Sequence, residues 1–189
     1  MEENYMATTR NGHELKDMYN PDTNTLDIRS NGLYPSNVLS NLCSNGFRFD
    51  GMVCGSMEGF LQSLKRKELD KQRQICNMKG GNARKMSVTS WQTDQIVWWK
   101  GQAIDRQSEE YQRLIRRAYQ AMFEQSERFR VALMQVWGMF ADNDQQVNGE
   151  SLFLQYYNQV IHFSGEHRMD DRVIEDVLVP LIYNNTALN

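Results

Sequence analysis

Tyr111, Leu114, Ile115, Ala118, Tyr119, Met122 and Phe123 recur at steps of three and four, the spacing that lines one face of an α-helix. Ser108, followed by Glu109 and Glu110, supplies the start of that helix: a hydroxyl to cap the first amides and two acids at the positive end of the dipole. After Ser126 the pattern resumes through Phe129, Ala132, Leu133, Val136, Trp137 and Phe140. Two amphipathic helices in succession must bury their stripes in a core. At 189 residues with 40% hydrophobic side chains, the chain is long enough to build one. Neither Pro nor Ser runs mark a linker, so we expect a single domain over residues 26–189 behind a polar N-terminal extension over residues 1–25.

The rest of the chain is less regular. A short strand is expected around Leu26 and Ile28, and a hairpin where Phe47 and Phe49 alternate ahead of an Asp50-Gly51 turn. From Ser56 onward the spacing lengthens to that of a helix, with Phe60, Leu61 and Leu64 on one face and the charged run KRKELDKQRQ, from Lys65 to Gln74, forming a solvated face. Gly80-Gly81 should break that helix and start a short turn of helix carrying Lys79, Arg84 and Lys85. Leu152 to Phe163 fits a buried helix or strand, and Val173 to Ile182 a helix that Pro180 kinks or ends. The expected fold is a mainly helical α+β domain with a small antiparallel β element in the N-terminal third.

Composition excludes several classes. With 21 basic and 24 acidic residues, the formal charge of −3 gives no global attraction to nucleic acid or membrane surfaces. No apolar stretch is long enough for a signal or a membrane span, so a cytoplasmic protein is expected. Cys43, Cys54 and Cys76 are an odd set without paired short spacing, which reads as buried thiols. His13, His162 and His167 lack metal-ligand spacing, and no phosphate loop, dinucleotide fingerprint or nucleophile elbow occurs. No metal or cofactor is expected.

What remains are residue types suited to a nucleotide pocket: Glu58, the pair Trp98 and Trp99, the cations Lys65, Arg84 and Lys100, and the amides Asn41 and Gln62. Each also has a plain structural use, since tryptophans fill cores, lysines solvate and Asn shapes turns. Glu58 itself could be an ordinary first-turn acid behind the cap Ser56.

Three segments in order, LSNL (Leu39 to Leu42), FDGMVCGSMEGFLQSLK (Phe49 to Lys65) and the stretch from Trp98 to Leu133, resemble the NADAR, or YbiA-like, family. The resemblance implies an N-glycosidase that hydrolyses the ribosyl C–N bond of an ADP-ribosylated base, guanine being favoured, free or in nucleic acid. It also makes Glu58 the catalytic acid, with Ser40, Asn41, Asp50, Gln62, Arg84, Trp98 and Trp99 binding substrate. Gly59 follows Glu58 where that family has His, and Met122 stands where it has Lys. These departures point to the alternative, a module that binds an ADP-ribose-like ligand without turning it over.

Overall fold

The computed structural model describes residues 19–20, 25–141, 153–156 and 180–181. The fold is mixed α/β, with about half of the described residues helical. It divides into two compact units, Met1–Ser40 with Val131–Asn189, and Asn41–Arg130.

In the first unit, β1 (Tyr19–Asn20) pairs antiparallel with β2 (Thr25–Ile28), placing Tyr19 opposite Leu26. The expected strand at Leu26 and Ile28 is therefore present. A turn closed by the Gly32 amide on the Arg29 carbonyl leads into a one-turn helix, α1 (Ser36–Leu39), whose Ser36 Oγ accepts from the Arg29 amide at 2.9 Å. Ile28, Val38 and Leu39 are buried. The described part of Leu152 to Phe163 is a strand, Phe153–Tyr156, running parallel to β2 with Ile28 opposite Tyr156. Pro180 and Leu181 are helical, and Leu181 is buried. The remainder of that expected helix, most of the N-terminal extension and all three histidines lie outside the described residues.

The second unit opens with the expected hairpin. β3 (Phe47–Phe49) and β4 (Met52–Cys54) pair with Phe49 opposite Met52, and Asp50 and Gly51 turn the chain with φ of 46° and 82°. Positive φ at both central residues matches the right-handed twist of the strands, and Asp-Gly supplies it at low cost. Phe47, Phe49, Met52 and Cys54 point inward while Arg48 and Val53 point out.

The helix expected from Ser56 through the charged run is instead two helices, α2 (Met57–Ser63) and α3 (Leu69–Cys76). The break has a clear cause. The Trp98 amide takes the Leu64 carbonyl at 2.7 Å, and Gln72 Nε2 takes both the Arg66 and the Trp98 carbonyls at 2.7 Å. Carbonyls held by a strand and a side chain are no longer available to extend a helix. Gln72 is fully buried, so the charged run is not simply a solvated face. α3 ends at Cys76, ahead of Gly80-Gly81, and those glycines begin the expected short helix, α4 (Gly80–Arg84), flanked by Lys79 and Lys85. A Cβ on Gly80 would lie 2.0 Å from the Leu42 carbonyl oxygen, so this glycine is set by close backbone approach.

After α5 (Trp91–Asp94), β5 (Ile96–Trp99) and β6 (Gln102–Asp105) form a second hairpin turned at Lys100 and Gly101, with φ of 51° and 85°. The sequence pattern does not announce this hairpin, since Lys-Gly is not a strong turn pair and the strands are four residues each. α6 (Glu109–Gln125) is as expected: Ser108 Oγ accepts from the Tyr111 amide at 3.2 Å, and all seven stripe residues are buried. α7 (Glu127–Ala141) follows Ser126, whose Oγ accepts from the Phe129 amide at 3.3 Å. Phe129, Ala132 and Leu133 are buried, and the stripe beyond them lies outside the described side chains. Cys54 and Cys76 are buried free thiols with their sulfurs 3.1 Å apart, whereas Cys43 is half-buried. Hydrogen bonding to Cys76, then burial, pushes the Cys54 thiol up from its ordinary value.

Candidate functional site

Glu58 stands in the first turn of α2, where the sequence placed it. Ser56 caps the helix, its Oγ accepting from the Gly59 amide at 3.0 Å and donating to the Met78 carbonyl at 3.0 Å. The Glu58 amide, a donor the helix leaves unused, is taken by the Asn41 carbonyl at 2.9 Å. One turn on, Gln62 Nε2 donates to Glu58 Oε1 at 2.8 Å. Gln62 is 7% exposed, and its Oε1 has no hydrogen-bond partner among the described residues. Glu58 is part-exposed, so the buried acceptor left over in this pair is Gln62 Oε1.

The start of α2 is seated unusually closely. A Cβ on Gly59 would fall 2.6 Å from the Cys76 carbonyl oxygen and 2.7 Å from that of Met78, and one on Gly55 would fall 2.4 Å from that of Asn77. Two glycines therefore let the helix start rest on the carbonyls that end α3. This is also why no larger residue follows Glu58.

Around this pair stand groups from distant parts of the chain. Asn41 is buried, and its Oδ1 accepts from the Tyr119 hydroxyl at 2.7 Å. Lys65, just past α2, is lowered to about 8 from 10.5 by burial, against the opposing pull of Glu58 and with the Arg106 and Arg66 guanidiniums adding to the depression. Its ammonium lies 5.1 Å from the Trp91 ring centre, and the Arg106 guanidinium lies 4.7 Å from the same ring. Arg106 is buried and donates to Gln95 Oε1 at 3.1 Å.

Of the residues singled out in the sequence, the structure brings Asn41, Glu58, Gln62 and Lys65 together. Asp50 and Trp99 belong to a different group. Trp99 is core, stacked 5.6 Å from Phe49 and edge-on 5.2 Å from Phe60, and its Nε1 donates to Asp50 Oδ2 at 2.9 Å. Arg117 pairs with Asp50 Oδ1, and Lys100 Nζ reaches the Asp50 carbonyl at 3.2 Å. Trp98 is half-buried with Lys67 Nζ 4.8 Å from its ring centre. Arg84 is exposed on α4 and joins neither group through any contact among the described residues. Ser40 closes α1 in the first unit, its amide on the Ser36 carbonyl. Sequence reasoning missed Trp91, Arg106 and Tyr119. Only Tyr119 carried a signal, because a tyrosine on a buried stripe needs a partner for its hydroxyl.

A capped helix start bearing a carboxylate, a buried amide and a lysine lowered by burial form a polar site on a small mixed α/β unit. The chain belongs to the family described as bacteriophage protein GP30.3, which matches residues 33–140. It is 36% identical over 110 residues, 57% of this chain and 72% of the relative, to an uncharacterized 17.1 kDa protein from the Gp30-rIII intergenic region of Enterobacteria phage T4. No solved structure matches the chain.

The resemblance to the NADAR family is overturned by this match, and with it the designation of the chain as a NADAR hydrolase. The three segments that carried the resemblance all fall inside residues 33–140, and the two longer ones have local structural reasons. Asp50-Gly51 is a hairpin turn, Ser56 a helix cap, Glu58 a first-turn acid and the α6 stripe a core face. Such features recur in short α+β chains without common descent. Among the described residues, no helix is long and apolar enough to cross a membrane.

Proposed function

We propose that the Asn41–Arg130 unit is an N-glycosidase, hydrolysing the ribosyl C–N bond of an ADP-ribosylated base or a related nucleotide. One observation carries the reading: the Glu58 carboxylate is fixed by Gln62 at a rigid helix start, and the buried Gln62 Oε1 beside it has no hydrogen-bond partner among the described residues. A buried amide oxygen without a donor is costly, and a ligand hydroxyl such as those of ribose removes the cost. The preference for guanine rested on the family resemblance alone and is not carried further.

Breaking a ribosyl C–N bond builds positive charge on the sugar and negative charge on the departing base. Glu58 stabilises the first and takes a proton from the attacking water. The water oxygen bonds to the anomeric carbon as the C–N bond breaks, the electron pair leaves with the base, and the base takes a proton from solvent while Glu58 gives its own back to solvent. Lys65, a cation beside Glu58, offsets the negative charge of the leaving base or a diphosphate.

A second reading, a module that binds such a ligand without turnover, is favoured by Gly59. The carbonyls beneath it exclude any side chain there, so residue 59 cannot supply an acid to protonate the base. The test is incubation of the native protein and Glu58→Gln with ADP-ribosyl nucleosides and an ADP-ribosylated oligonucleotide, with products read by mass spectrometry. Free ADP-ribose and base from the native protein alone are expected. Cleavage at equal rates by both proteins overturns the mechanism, and retention of uncleaved ligand selects the second reading.

A further inference from the structure

The Asp50 group opens onto a cleft of about 460 Å³ that the proposed glycosidase chemistry does not use. That volume falls within the range of small-molecule sites, roughly 300–1,000 Å³. Its floor is apolar, made by Trp99, Ile104 and Leu114, all buried. Its rim is charged. Lys100, Arg113 and Arg117 stand against Asp50 and Glu110, three positive groups to two negative.

The pairing within the rim leaves that balance uneven. Asp50 is already committed, one oxygen to Trp99 Nε1 and the other to Arg117. Arg113 lies one turn before Arg117 on α6 and, like Lys100, forms no ion pair among the described residues. Lys100 is held in place by its hairpin: its backbone is left-handed at φ 51°, its amide donates to Gln72 Oε1 at 3.1 Å and its Nζ to the Asp50 carbonyl. A cation whose backbone is pinned loses less freedom on meeting a ligand than one on a mobile loop.

We infer that this cleft binds a small organic oxyanion, with an apolar body on Trp99, Ile104 and Leu114 and a phosphate or carboxylate held by Lys100 and Arg113. An organic anion fits better than a bare ion because three buried apolar side chains line the cleft and the Trp99 indole donor is already taken. The rim supplies charge-assisted hydrogen bonds to the oxyanion.

The experiment is a titration of the full chain with phenyl phosphate, benzoate, benzyl alcohol and inorganic phosphate, followed by nitrogen–proton NMR at the Trp99 indole. Saturable shifts are expected with phenyl phosphate or benzoate, whichever of the two binds more tightly naming the oxyanion. The double variant K100E/R113E should weaken binding by about tenfold or more, the loss of two charge-assisted contacts. Both side chains are exposed, and an otherwise unchanged spectrum shows that the variant is folded. Glu58→Gln should bind as the native protein does, so failure of the glycosidase proposal leaves this result standing. No saturable shift with either anion overturns the inference, as does undiminished binding by the double variant. Equal affinity for benzyl alcohol or for inorganic phosphate overturns it too, by showing that one half of the site contributes nothing.

Discussion

The two groups into which the singled-out residues fall are built on opposite principles. At the Asp50 hairpin, each carboxylate oxygen has a partner, an indole on one and a guanidinium on the other. At the start of α2, by contrast, Glu58 and Gln62 hold each other and leave the buried Gln62 Oε1 without a partner among the described residues. The first arrangement ties a hairpin to a helix; the second keeps capacity for something that is not part of the chain. A carboxylate near a tryptophan is therefore no guide to function until its partners are counted.

The sharpest way to break this contrast is Glu58→Gln, expected to lower turnover by about 10²- to 10⁴-fold, the usual contribution of a general base, while thermal unfolding changes little. Gly59→Ala comes next. A methyl group 2.6 Å from a carbonyl oxygen should cost about 1–3 kcal/mol in denaturant unfolding, the range for overpacking. An unchanged midpoint would mean that α2 is not seated as described.

Asp50→Asn should cost about 1 kcal/mol, as for partly exposed ion pairs, because the Arg117 pairing weakens while the Trp99 indole keeps an acceptor. It should leave Glu58-dependent turnover intact, and a large loss of turnover would merge the two groups into one site. Lys65 sharpens the contrast through pH. Its folded value is about 8 against 10.5, so below pH 8 the charge is carried in both folded and unfolded chains and the burial penalty is fully present. Between about 8 and 10.5 the unfolded chain holds the extra proton, so this residue's contribution to stability rises with pH. Over the lower part of that range, affinity for an anionic nucleotide should fall, and Lys65→Met should abolish the dependence. The smallest effect is expected from Arg84→Ala, exposed on α4, which should alter neither binding nor stability measurably.

The parts legible in the sequence are those set by local rules. The α6 stripe, the Asp50-Gly51 turn, the Ser56 cap and the Glu58–Gln62 pair at i and i+4 all follow from spacing over a few residues. What was not legible depends on partners far along the chain. The split between α2 and α3 comes from Gln72 and Trp98, and the second hairpin from the packing of Trp99 on Phe49 and Phe60. Trp99 read as a stacking platform because its type suits one; its neighbours make it core. Trp91 and Arg106 join Lys65 only through tertiary contact, which no periodicity encodes.

The glycine seat beneath α2 also bears on how the site comes into being. Gly55 and Gly59 rest on carbonyls of residues 75–78, a short distance along the chain, so little loop entropy opposes the contact. The α2–α3 pair that positions Glu58 is thus a local unit whose closure costs little. Tyr119, by contrast, reaches Asn41 from α6 across 78 residues of chain, so that contact closes a far longer loop.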